Sequence, residues 1–150
     1  MVAYPLFPND ESIQRGMEFQ DFVMLALSRH GVFIQPYSSR LYQYEHGENP
    51  QGVEIKLDAR CTDTGRLSIE IAEKVNAKNH AWVNSGIYRR DNTWLYVQGN
   101  FKTLYVLPKT LLKLLHQSKR YQEHELPTIR KFYLPLAEAE RYAALVLKFH

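Results

Sequence analysis

Cysteine is nearly absent from this chain. Cys61 is the single one among 150 residues, so an internal disulfide and a zinc knuckle are both excluded. A reducing, cytoplasmic setting is the simplest expectation. Long apolar runs are missing too: nothing approaches the roughly 20 residues that a membrane helix requires. The opening MVAYPLFPNDE lacks a basic stretch followed by an apolar one, so neither a secretion signal nor a membrane partner is expected. There is no Gly-rich phosphate loop and no Gly-x-Ser-x-Gly elbow, so neither of those devices carries the chemistry. The six histidines fall at no metal-ligand spacing. A large charge excess is also lacking; the formal net charge of +3 permits an anionic partner without demanding one.

What is present is enough apolar material for a core. Hydrophobic residues make up 45% of the chain and aromatics 13%, which fits one domain. That domain is expected over 1–150, with a core over about 16–118 and a helical extension over about 119–150. The spacing of Phe19, Phe22, Val23, Ala26 and Leu27 predicts a helix, with Asp10 or Ser12 as N-cap and Gly31 just past its end. VFIQPY reads as a short strand, and SSRLYQYEHGENPQG as a polar loop. TWLYVQGNFKTLYVLP reads as a hairpin turning at Gly99-Asn100. Thr110 to His116 reads as a leucine-rich helix, SKRYQEHELP as a charged connector, and Pro135 to Phe149 as a last helix. The order predicts a mixed α/β domain, a central mixed sheet of about four or five strands flanked by helices.

The chemistry is concentrated in GVEIKLDARCTDTGRLSIEIAEK, Gly52 to Lys74. Val53 to Ala59 and Leu67 to Glu73 read as two strands around TDTG, with Gly65 able to take positive φ. Alternation places Val53, Ile55, Leu57, Leu67, Ile69 and Ile71 on one face, and Glu54, Lys56, Asp58, Ser68, Glu70, Ala72 and Lys74 on the other. With the turn centred on Thr64, Asp58 is expected opposite Glu70, Lys56 opposite Ala72, and Glu54 opposite Lys74. Opposed carboxylates repel by roughly 0.2–1 kcal/mol on an exposed sheet. A divalent cation reverses that sign: magnesium is held by one or two carboxylates plus a substrate phosphate, and it lowers the pKa of a bound water. A nearby lysine offsets charge in the transition state. An ordinary salt-bridged face accounts for Glu54 and Lys74; it accounts poorly for Asp58 against Glu70.

At these residues the sequence resembles the PD-(D/E)XK, or restriction-endonuclease-like, nuclease superfamily, over roughly Gly16 to Pro108. Asp58 matches the motif's aspartate and Glu70 its glutamate. The lysine position is Ala72, and Lys56 or, failing that, Lys74 is the candidate replacement. The resemblance implies a restriction-endonuclease-like core, a magnesium or manganese cofactor held by Asp58 and Glu70 with Glu18 as a third acid, and hydrolysis of phosphodiester bonds in DNA or RNA, with DNA the first expectation. A second alignment takes Glu54-Ile55-Lys56 as the glutamate–lysine pair and draws its upstream acid, Glu45 or Glu48, from a loop. The resemblance also suggests a phage or mobile-element origin. Ala72 keeps a rival open, a non-catalytic nucleic-acid- or protein-binding module on the same fold, such as a phage inhibitor of a host enzyme. A homodimer is compatible with either.

Basic residues extend the case for a nucleic-acid partner. Arg89, Arg90 and Lys102 are candidates for phosphate contacts, and Lys109, Lys113, Lys119 and Arg120 for a second basic strip. His80, Asn84 and Ser85 are candidates to line the cleft. Trp82, Trp94 and Tyr96 are expected in the core rather than stacked on bases.

Overall fold

The computed structural model describes residues 10–35 and 45–150. The first helix forms as its apolar stripe dictates. α1 (Asp10–Ser28) buries Phe19, Val23, Ala26 and Leu27, and Gly31 follows with φ 78°. Residues 1–9 and the end of VFIQPY lie outside the described residues, as does the first part of the polar loop; residues 32–35 form no strand.

The remaining elements are β1 (Val53–Leu57), α2 (Cys61–Thr64), β2 (Arg66–Glu73), β3 (Val83–Asn84), a 3-10 turn (Gly86–Tyr88), β4 (Leu95–Gly99), β5 (Thr103–Pro108), α3 (Lys109–Gln117), β6 (Glu123–Glu125), β7 (Ile129–Pro135), α4 (Leu136–Tyr142) and β8 (Leu145–Lys148). They build two four-stranded sheets, ordered β1-β4-β5-β8 and β3-β2-β7-β6. The first is mixed, because β1 runs parallel to β4 while the other pairs are antiparallel. The second is antiparallel throughout. The protein is therefore mixed α/β, with a four-stranded mixed sheet and helices.

Alternation along the first sheet sorts its side chains into two cores. Val53, Val97, Leu104 and Val106 share one with the apolar stripe of α1. Tyr96, Tyr105 and Leu107 share the other with Leu67, Ile69 and Ile71 of β2, Phe132 and Leu134 of β7, and Leu112 and Leu115 of α3. The hairpin at Gly99-Asn100 forms as expected. Asn100 tightens it by accepting the backbone N–H groups of Lys102 and Thr103 at 2.9 and 3.1 Å.

Two expectations fail. The strands of the Gly52–Lys74 stretch do not form a hairpin: β1 pairs with β4, and β2 pairs with β7 and β3. TDT lies in α2, closed by Gly65 at φ 72°, and this helical turn carries the chain from one sheet to the other. Alternation records which side of a strand is apolar; it does not record which strand lies alongside. Nor is the C-terminus a helical extension. Residues 119–150 supply β6, β7 and β8, with only Leu136–Tyr142 helical. Ala143 ends that helix in an extended conformation. Beyond it Leu145 and Leu147 pack on the α1 core while Val146 packs on the other, a period of two that belongs to a strand.

Candidate functional site

The site is built where the charged side of β1 meets β2. Lys56, Asp58, Glu70 and Gln98 line one cleft of about 480 Å³, together with Arg60, Arg66, Lys131 and Tyr133. Asp58 and Glu70 thus come together, but not as a cross-strand pair. Oδ2 of Asp58 accepts the backbone N–H of Ser68 at 2.8 Å and Nε2–H of Gln98 at 3.1 Å. Gln98 Nε2 also donates to the Ser68 carbonyl at 2.8 Å. Asp58 therefore clasps β2 just before Glu70 through its side chain rather than through a backbone ladder.

Glu70 sits at an irregularity. It faces Lys131 across the β2–β7 ladder, and the register slips immediately after it. A bulge of this kind bends a strand and re-aims its side chains. The 3-10 turn presses on the same spot: Ser85 N–H donates to the Ile71 carbonyl at 3.3 Å, and Gly86, at φ 54°, approaches so closely that a Cβ there would overlap the Glu70 carbonyl. Only glycine satisfies both the dihedral and the approach.

Three carboxylates surround Lys56. Its Nζ is 3.1 Å from Glu54 Oε1. Burial alone would lower the lysine pKa, yet Glu54, Glu70 and Glu48 together raise it. Glu48 has its own carboxyl pushed up, first by burial and then by repulsion from Glu54. Asn49 fixes that loop against β1, accepting Val53 N–H at 3.0 Å and donating to the Val53 carbonyl at 2.6 Å. Tyr96, only 3% exposed, places its buried hydroxyl beside Glu54 and Glu70. Burial, reinforced by Glu54, holds that hydroxyl protonated far above its ordinary range.

This donor set suits a hard divalent cation. It consists of the Asp58 and Glu70 carboxylates on the cleft wall, with Glu54 and Glu48 near Lys56, while Arg60, Arg66 and Lys131 line the same cleft. Among the described residues no three His, Cys, Asp or Glu side chains converge closely enough to enclose a metal ion. The protein would thus supply part of a coordination sphere, as is usual where substrate phosphate and water complete it.

Several expected site residues lie elsewhere. Lys74 is not among the residues lining the cleft; its ammonium lies over Trp82 at 4.4 Å, and Arg130 shares the same ring at 4.7 Å. Glu18 is not a third acid of the cleft. It is exposed on α1, against the opposite face of the first sheet, and accepts a bond from Gln14 at 3.3 Å; the acids near Lys56 are Glu54, Glu70 and Glu48. Lys109 is no surface cation: it is 7% exposed, donating to the Arg89 carbonyl at 2.7 Å and to Asp91 at 3.0 Å. Arg89, Arg90 and Lys113 line a separate open depression of about 770 Å³. Lys102 lies with Arg15 at a smaller one of about 160 Å³, next to Leu57 and Ala59. His80 and Asn84 are exposed, and Ser85 is buried with an unpaired hydroxyl.

Gln98, Arg66 and Lys131 line the cleft although the sequence did not single them out, and Tyr96 is buried in the core as expected. Gln98 had a signal, a polar residue among the apolar ones of LYVQG. Arg66 and Lys131 had none, because only the long-range β2–β7 pairing brings them to the cleft. No family model, no curated protein and no solved structure matches the chain.

Proposed function

We propose that this protein is a metal-dependent nuclease, related to the PD-(D/E)XK enzymes, that hydrolyses phosphodiester bonds of nucleic acid in the cleft between its sheets. The observation that carries this reading is the lining of that one cleft: the acids Asp58 and Glu70 beside Lys56, with Arg60, Arg66 and Lys131 around them. Glu70, with Glu54 or Asp58, would hold magnesium or manganese. The ion would polarise the phosphate and lower the pKa of its water. Lys56, kept protonated by the surrounding carboxylates, donates toward the attacking water or the developing charge. Arg66 and Lys131 offset the phosphate's own charge, and Arg66 is held in place by stacking on Tyr133 at 3.5 Å. Glu48, Glu54 and Lys56 support the second alignment of the motif, in which Glu54-Ile55-Lys56 is the glutamate–lysine pair.

The test is cleavage of plasmid, single-stranded DNA and RNA with magnesium or manganese, using Asp58→Ala and Glu70→Ala as controls. Activity that needs the metal and is lost in Glu70→Ala supports the reading. Absence of cleavage on every substrate, or cleavage that survives both substitutions, sinks it. Asp58 favours a second reading, a binding module without chemistry, because its Oδ2 is already taken by two structural hydrogen bonds. Metal-independent retention of oligonucleotide with no cleavage would select that reading.

A further inference from the structure

We infer that the depression beside the cleft is a subsite for an unpaired nucleotide, so that the protein engages single-stranded rather than fully paired nucleic acid. The inference rests on the nuclease reading for the identity of the polymer. Its own support is Trp94, which is 59% exposed although its position is fixed. The indole N–H donates to the Gln51 carbonyl at 2.7 Å. Gly52, at φ 69°, lies so close to the ring that a Cβ would collide with it. A tryptophan held rigid with much of its ring in solvent is a preorganised stacking surface, since every base has a π-face and little side-chain entropy remains to be lost.

The surroundings have the matching charge. Arg90 and Lys113 line the same depression, placing cations where a backbone would run past a stacked base. Thr93 lines it too, and its hydroxyl, on a residue only 5% exposed, has no hydrogen-bond partner among the described residues. Trp94, which lines the depression, and Tyr96, which lines the cleft, are only two residues apart in the chain. A strand whose base stacks on Trp94 is thereby led toward Lys56. A duplex keeps its bases stacked on one another and offers Trp94 no free face.

The experiment is a fluorescence titration without divalent metal, in a Trp82→Phe background that leaves Trp94 as the sole tryptophan. The probes are an oligothymidylate, a single-stranded RNA of equal length and a blunt DNA duplex. Quenching by the single strands but not by the duplex is expected. Read by the anisotropy of a fluorescein-labelled oligothymidylate, since these variants carry no tryptophan, Trp94→Ala should weaken single-strand affinity about tenfold, while Trp94→Phe retains most of it. Arg90→Gln and Lys113→Gln should each lower the salt slope by about one. Equal binding of duplex and single strand, or unchanged affinity in Trp94→Ala, overturns the subsite while leaving metal-dependent cleavage standing. Single-strand binding through Trp94 without any cleavage keeps the subsite and removes the nuclease reading. No binding of any probe overturns the subsite.

Discussion

On one side of β1, Val53, Ile55 and Leu57 belong to the core built on Phe19 and Val23 of α1. One residue away in sequence, and on the other side, Glu54 and Lys56 share their surroundings with Glu48, Glu70 and the buried Tyr96 hydroxyl. The first side is what stability asks for: apolar, interdigitated, with no polar group left over. The second crowds like charges at a cost that a fold alone has no reason to bear. The comparison teaches where to look for function, because the strand's rule holds on one face and breaks on the other.

The largest effect expected separates the two sides by stability. Phe19→Ala removes a fully buried ring from the apolar side and should lower unfolding free energy by about 3–5 kcal/mol, read by urea denaturation. On the charged side the opposite pattern is expected. Glu70→Gln should reduce cleavage by about 10²–10³-fold without lowering the denaturation midpoint. A Glu70→Gln protein that is markedly less stable would mean the carboxylate holds the fold together and would undo the contrast.

Gly86→Ala comes next and strikes the support beneath Glu70. Left-handed φ at a non-glycine residue costs about 1–3 kcal/mol, and the added methyl must also displace the Glu70 carbonyl. Stability and cleavage should therefore fall together, unlike in Glu70→Gln. The smallest effect is expected from Glu48→Gln. The Glu48 carboxyl is raised by burial and by Glu54, so the folded state holds its proton more tightly than the unfolded chain does. Its contribution is favourable below the ordinary carboxylate pKa and is lost as pH rises through the raised value. The glutamine variant should match the parent in acid and exceed it by less than about 1 kcal/mol near neutral pH, as thermal melts across pH 4–8 would reveal.

Much of the local structure was legible in the sequence. The stripe of Phe19, Phe22, Val23, Ala26 and Leu27 and the Gly99-Asn100 turn each carry their signal within a few residues, and both elements form. The partnership of β1 and β2 was not legible, because alternation is silent on neighbours and Gly65 serves a helical turn as readily as a hairpin. The C-terminal region misled for a related reason: LAEAERYAALVLKF has helical residues throughout, and only packing of Leu145, Val146 and Leu147 on two cores makes its end a strand. The site followed the same division. Lys56, Asp58 and Glu70 stand out as charges within apolar alternation. Arg66 and Lys131 reach the cleft through pairing with a distant strand, and Lys109 was misjudged because its partner Asp91 is 18 residues away.

The most direct test of the central claim, that the charged side of β1 is a metal-holding site, is an anomalous difference map from crystals soaked in manganese. The account predicts a peak in the cleft, bound by Glu70 and by Glu54 or Asp58, with Lys56 alongside. A cleft without a peak at millimolar manganese, or manganese bound only outside it, would contradict the account.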